Sequence, residues 1–409
     1  MRFSRTLLAA ISLFAVAAQS PATFAQSAPV DDVKVGVLTD MSSVFSDLVG
    51  KGSVIAAQMA IDDFVAAEKP DFKVSMISAD HTSKADVASN VARQWIDQEG
   101  VDVITDIAGA SVTLAVSKVG AEKNKIVLAT ASGQNSLTSE DCQPTALHWT
   151  YNTRAVSGTT ARAVTKEGGN KWFFITADYA GGRSLQEDAT EGVLAEGGEV
   201  VGSIKHPFNS QDFSSQLLTA QTSGANVVAF ANSGPEFVNG TKQAIEYGIN
   251  TQAKLVGLLP YVTDIHTLGL EATQGMYVTD PAYWDRNDAT RAWSKRFFEK
   301  HGKMPTYVQA GLYSGIMHYL KAVKAAGTTD TEAVLSKMRE MPINDAFTDN
   351  AKLREDNMVV RDMYVYKVKA PADSKGEWDL YEYQYTVPGD QAFRPLSESK
   401  CPLLAKNKG

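Results

Sequence analysis

From residue 33 onward the chain alternates between two patterns. Short apolar runs, each long enough for one buried strand, give way to stretches in which apolar residues recur three or four places apart, the spacing of one helix face. Residues 33–39 (VKVGVLT) read as a buried strand, and Val54, Ala57, Ile61, Phe64 and Val65 mark the apolar face of a helix starting near Gly52. A strand over 73–79 and a helix over 84–98, with Val87, Val91 and Trp95 four apart, continue the series. Strand 101–107, helix 112–122 and strand 126–129 then form a βαβ unit. Each of its strands runs straight into a loop of small residues, Ala108-Gly109-Ala110-Ser111 and Thr130-Ala131-Ser132-Gly133.

A second series opens beyond residue 150. Strands over 172–176, 200–204, 227–231 and 255–259 alternate with helices over 183–196, 213–222 and 236–247. A strand over 276–279, helices over 289–301, 308–326 and 332–341, two β-rich stretches over 363–369 and 378–386, and a tail follow. Strands alternating with helices predict parallel sheets covered on both faces, an α/β chain. Its length exceeds what one hydrophobic core organises, so two lobes are expected. The element order divides them as 26–150 plus about 279–356, and 151–278 plus about 357–409. Strands crossing between the lobes imply a cleft and a hinge.

The first 25 residues change where this chain is expected to work. Arg2 and Arg5, an apolar run over 7–18 and the small-x-small Thr23-Phe24-Ala25 make a cleavable secretory leader, with the mature chain beginning near Gln26. That run is short for a bilayer span, no second one follows, and no cysteine follows the cleavage point to carry a lipid, so a soluble exported protein without membrane insertion is expected. The formal net charge of −8 becomes −10 once Arg2 and Arg5 are removed. Nothing basic is left to hold a nucleic acid or an anionic membrane. Cys142 and Cys401 are the two cysteines. In an exported chain an even pair points to a disulfide rather than two separate buried thiols.

Candidate chemistry is sparse. The glycines at 50 and 52 lack the third glycine of a dinucleotide fingerprint and stand well past the strand, so they read as a turn into the helix. There is no P-loop, no His-Glu-x-x-His and no Gly-x-Ser-x-Gly elbow, and six scattered histidines with two cysteines show no zinc spacing. No catalytic set, metal or cofactor is therefore expected. The small-residue loops are the exception. Either alone is accounted for by a tight βα connection. Two of them one strand apart gather backbone N–H groups on one sheet edge, where a helix N-terminus favours a carboxylate or another anion.

The run of segments from VKVGVLTDMSSVFSD through GVDVITDIAGASVTLAV, IVLATASGQNSLT, WFFITADYAGGRSL and DFSSQLLTAQTSGANVVAFANSGPE to MPTYVQAGLYSG resembles, in order and spacing, the type I periplasmic solute-binding proteins of the branched-chain amino acid class. The resemblance covers the whole mature chain. It implies two doubly wound lobes joined by three crossovers, a monomer that closes on a small ligand and delivers it to the permease subunits of an ABC importer. By position it implies that Ala110, Ser111, Ala131, Ser132 and Gly133 grip a ligand carboxylate, that Phe45 supplies an aromatic wall, and that Tyr179 supplies a second-lobe contact beside Gly181. Members that bind amino acids place an acid just after the strand ending here at Leu259, to pair with the ligand ammonium. This chain has no acid there until Asp264, while Asp178 and Glu236 read as solvated loop charges as easily as ligand partners. The departure favours an organic acid without an α-ammonium, with an apolar or aromatic body lined by Asn232, Leu259, Tyr261, Tyr283, Trp284 and Tyr307. A branched-chain or other amino-acid ligand in the same transport role, and a ligand sensor on the same fold, are the alternatives.

Overall fold

The computed structural model describes residues 30–406, and the leader over 1–25 lies outside them. The first apolar runs become β1 (Asp32–Thr39), β2 (Lys73–Asp80), β3 (Val103–Asp106), β4 (Ile126–Ala129) and β5 (Ala146–His148), a parallel sheet in the order β2-β1-β3-β4-β5. The second series becomes β6 (Lys171–Ala177), β7 (Glu199–His206), β8 (Val227–Ala231) and β9 (Lys254–Gly257), parallel in the order β7-β6-β8-β9. Beyond them, β10 (Tyr277–Asp280), β11 (Lys352–Leu353), β12 (Val359–Val360), β13 (Met363–Val368) and β14 (Tyr381–Val387) make an antiparallel sheet β10-β13-β14 and a short hairpin β11-β12.

Strands covered by helices on both faces bury side chains on both, which is why they read as near-continuous apolar runs. In β1, Val33, Val35 and Val37 point into one helical layer and Leu38 into the other. In β6, Trp172 and Phe174 face one side while Phe173 and Ile175 face the opposite one. Each such side chain stabilises the fold by about 1.5–3 kcal/mol when fully buried.

The chain passes between the lobes after β5, after β10 and after β12. Helix Tyr307–Ala326 returns to the first lobe and packs on helix Gly50–Glu68. It also lies hard against the first crossover. A Cβ at Gly311 would come 2.1 Å from the Thr150 hydroxyl, and the Trp149 indole donates to Ser314 Oγ at 3.1 Å.

Cys142 and Cys401 are joined in a disulfide 259 residues apart. It pins the tail to the first lobe, where Ser399 Oγ donates to Thr138 O at 2.7 Å and Lys400 N to Ser139 Oγ at 3.1 Å. The same tail reaches the second lobe through Arg394, which pairs with Asp188 and Glu191, both at 2.8 Å, on helix Ala180–Ala195. Asp188 also accepts bonds from Asn135 and Thr153, so it is a buried meeting point of both lobes and the tail.

Several elements depart from the pattern reading. β5 is only three residues long, and a π turn (Arg154–Gly158) leads into helix Thr159–Lys166, where no element was expected. That helix is short, and Thr159, Thr160 and Thr165 share its buried face with Ala161, Ala163 and Val164, so few strongly apolar residues mark it. Residues expected as a loop after β9 begin helix Val262–Leu268, which Asp264 caps through the Tyr261 N–H at 2.9 Å.

Candidate ligand-binding cleft

Both sheet orders reverse direction at an inner strand, between β1 and β3 and between β6 and β8. Successive connections leave such a point on opposite faces, opening a crevice at the carboxyl ends of the strands. The two crevices meet in one cleft whose space is about 500 Å³, mouth included. The first lobe supplies Phe45, Leu48 and Val49 after β1, Ala108, Gly109 and Ala110 after β3, and Ala131, Ser132, Gly133 and Gln134 after β4. Tyr179, Gly181, Ser233, Leu259 and Tyr261 come from the second lobe, and Tyr151 and Thr153 from the first crossover. Among the described residues, none in this wall is Asp, Glu, Lys, Arg or His.

The donor loops are held in an uncommon conformation. Asp106 and Ile107 have φ of 77° and 64°, and Gly109 follows at 92°. A β-branched residue in the left-handed region is an outlier, and such strain costs about 1–3 kcal/mol and persists only where surroundings enforce it. Here Ile107 N donates to Leu38 O at 3.0 Å, and Asp106 O accepts from Thr130 N at 3.1 Å and Ala131 N at 3.3 Å. The turn aims the start of helix Ala110–Lys123 into the cleft. Its first internal bond runs from Thr113 N to Gly109 O, leaving the N–H groups of Ala110, Ser111 and Val112 without a carbonyl partner.

Across the same space, the N–H groups of Ser132 and Gly133 likewise have no partner among the described residues. Gln134 ties the two loops together, its amide donating to Ala110 O at 3.0 Å. That contact leaves the Gln134 carbonyl to accept the Ser132 hydroxyl. From below, His148 Nε2 donates to Ser132 O at 2.6 Å, and burial pushes this histidine down to about 4, so the ring is neutral with its proton fixed on Nε2. A Cβ at Gly133 would meet the Tyr151 ring at 2.5 Å, so this position requires glycine.

Of the residues expected from sequence, Phe45, Ala110, Ala131, Ser132, Gly133, Tyr179 and Leu259 are brought together in the wall. Ser111 stands second in its helix with an exposed side chain outside the wall, and Gly109 holds the capping position. Tyr307 lies behind the wall, its ring stacked 4.7 Å from Tyr261 and edge-on 5.2 Å from Tyr151. Asn232 is buried against His206 Nε2 at 3.2 Å, and its neighbour Ser233 takes the place in the cleft. Tyr283 and Trp284 bond to Trp378 O away from the cleft. Sequence reasoning missed Gln134, Tyr151, Thr153 and Ser233. Gln134 had a signal, since it directly follows a small-residue loop.

The acids are placed differently from one another. Asp178 is exposed and pairs with Arg183 at 3.0 Å and Lys205 at 3.1 Å. Glu236 is not a solvated loop charge: only 2% of its surface is accessible, and it accepts the N–H groups of Asn209 at 2.6 Å and Ser210 at 3.3 Å. Burial pushes Asp264 up to about 7 from an ordinary 3.8, against the pull of its backbone bonds. A carboxyl raised in the folded state binds a proton that the unfolded chain has released, so its contribution is complete below about pH 4 and lost as pH rises to about 7. Wild type should therefore lose melting temperature relative to Asp264→Asn, whose side chain stays neutral, as pH rises from 4 to 7. A wild type that gains on the variant over that range would refute this reading of Asp264.

Residues 32–377 match the family described as periplasmic binding protein. A periplasmic binding protein from Burkholderia mallei is 42% identical, with 91% of this chain and 99% of that one aligned at a TM-score of 0.87. A branched-chain amino acid ABC transporter periplasmic ligand-binding protein from Burkholderia xenovorans LB400 is 39% identical over 91% and 99% of the two chains, at a TM-score of 0.82. An ABC transporter solute-binding protein from R. palustris, solved in complex with 4-hydroxybenzoate, shares the fold at 19% identity and a TM-score of 0.79, over 90% of this chain and 100% of that one. Two doubly wound lobes, a three-crossover hinge and a cleft at the strand ends are the architecture of solute-binding proteins, and with a match over most of its length this chain belongs to the periplasmic binding protein family.

Proposed function

We propose that this protein is the exported, monomeric solute-binding subunit of an ABC importer, and that its cleft closes on a small carboxylate without an α-ammonium, bearing an aromatic or other apolar body. The lobes that close are 26–150 with about 279–356, and 151–278 with about 357–409. What carries the reading is a wall without charged side chains on which unpaired N–H groups of two loops converge. An ammonium buried there would lose its water and gain no carboxylate, a cost of several kcal/mol. A carboxylate is matched by the N–H groups of Ala110, Ser111, Ser132 and Gly133 and by the helix dipole behind the first two. Phe45, Leu259, Tyr179 and Tyr261 then surround its body. Supporting this in kind, the R. palustris protein of the same fold was solved with an aromatic acid.

A thermal-shift screen of the purified mature protein tests the proposal, with benzoate, 4-hydroxybenzoate and aliphatic acids set against leucine and valine. A ligand at 100 times its dissociation constant should stabilise by about 2.7 kcal/mol. Stabilisation by leucine or valine alone, with every other acid inert, would sink the reading of a ligand without an α-ammonium in favour of amino-acid binding. The same architecture serves both outcomes, so the screen separates ligand classes, not folds.

A further inference from the structure

Phe208 is a large apolar side chain with 40% of its surface open to solvent. It stands in the connection between β7 and helix Ser214–Gln221, on the second lobe. Yet its ring centroid lies 6.1 Å from that of Phe45, on the first lobe, and 4.9 Å from that of Tyr179. Phe45 and Tyr179 are both part of the cleft wall, whereas Phe208 is not, so Phe208 covers the wall rings from outside.

The backbone beside Phe208 is anchored. Glu236, at the start of helix Pro235–Glu246, accepts the N–H groups of the two residues that follow Phe208. Ser210 Oγ closes the turn onto Pro207 O at 2.7 Å, and Asn209 takes the left-handed conformation at φ 65°. An exposed loop tied to a buried carboxylate is a fixed bracket rather than a loose strand. The lobes also approach beside it: a Cβ on Gly234 of the second lobe would make ordinary contact with the Leu48 side chain at 3.6 Å and Val44 O at 3.8 Å.

We propose that Phe208 is the residue that seals the cleft mouth, held by Glu236 so that its ring closes on Phe45 when the lobes meet. The inference rests on the cleft being the ligand site. The Phe45–Phe208 contact spans the two lobes and exists only when they are together, so it favours the closed state directly. A ligand inside must break it to leave, whereas a ligand arriving at open lobes meets no such barrier. Its effect therefore falls on dissociation more than on association. One aromatic pair, with the apolar area it covers, is expected to change that rate by about tenfold.

Two measurements test this, one of them independent of any ligand. Spin labels introduced through Glu122→Cys on the first lobe and Glu246→Cys on the second report the distance between lobes in ligand-free protein. Phe208→Ala should shift that distribution to longer distances, and Phe208→Tyr should restore it. With 4-hydroxybenzoate and leucine as probes, whichever binds wild type should leave Phe208→Ala about tenfold faster with its association rate unchanged. Glu236→Gln, which keeps the accepting oxygen, should behave as wild type, and Glu236→Ala should reproduce Phe208→Ala. Phe208→Ala with wild-type distances and a wild-type dissociation rate overturns the seal. If neither probe binds wild type, the ligand-free distances alone decide the role of Phe208.

Discussion

Replacing Ser132 by leucine should abolish ligand binding, by a hundredfold or more, in a protein that still folds. Ser132 is 3% exposed, its carbonyl is held by His148 and its hydroxyl by Gln134, so its side chain is part of the wall facing the space where a carboxylate would sit. A leucine there fills room in a cleft of about 500 Å³ and covers the N–H groups of both loops. Overpacking costs typically about 1–3 kcal/mol of stability, which a domain of this size survives. Ser132→Ala is the informative contrast. The hydroxyl already gives its proton to Gln134, and the neighbouring N–H groups remain, so the loss should stay below about tenfold. Ser111→Ala, on an exposed side chain, should change affinity by less than about twofold. Leu259→Glu should disfavour an organic acid by placing a like charge in the wall, and should gain some affinity for an amino acid. Calorimetric titration of the four variants decides the matter, and tight binding by Ser132→Leu would place the ligand elsewhere.

Removing the disulfide should cost the most stability. In the chain-entropy model a bridge between residues 259 apart stabilises by about 5–6 kcal/mol. Bridges closing long loops commonly deliver less, so about 2–5 kcal/mol is expected for Cys142→Ser with Cys401→Ser. The tail carries Arg394, whose ion pair with the buried Asp188 belongs to the same unit. Once the bridge is gone, Asp188 keeps Asn135 and Thr153 as donors but loses the cation that offsets its burial. The double variant should melt on the order of 2–6 °C lower than oxidised wild type, and a protease should cut its tail first. Equal melting temperatures would show that the tail packing holds without the covalent link.

How far the pattern of residues carries depends on what sets each element. β4 begins and ends where its apolar run does, because all four of its residues are buried and apolar. Helix Tyr307–Ala326 was expected within one residue for a related reason, its length and its many buried positions. Helix Thr159–Lys166 was invisible because threonine and alanine fill a crowded surface as well as they fill a loop. In the cleft, the residues found early lie in the loops directly after strands, where chain order alone locates them. Tyr151 and Phe208 act through partners far away in sequence, and only tertiary packing brings those partners near. The left-handed turn at Asp106 and Ile107 was unreadable in principle, since isoleucine is among the residues least suited to it.

The uncharged wall has a consequence for how fast a ligand arrives. Cations that line a site draw an anion in through long-range attraction as well as hold it, whereas backbone dipoles act only at contact. Around this cleft the field comes from the rest of a chain with a formal charge of −8, or −10 without Arg2 and Arg5, which repels an approaching carboxylate. Added salt screens that repulsion within about 8–10 Å at physiological strength, and barely touches hydrogen bonds made in a closed cleft. Capture of an organic acid should therefore speed up as ionic strength rises while its residence time stays constant, the reverse of what a site built on arginine or lysine would do.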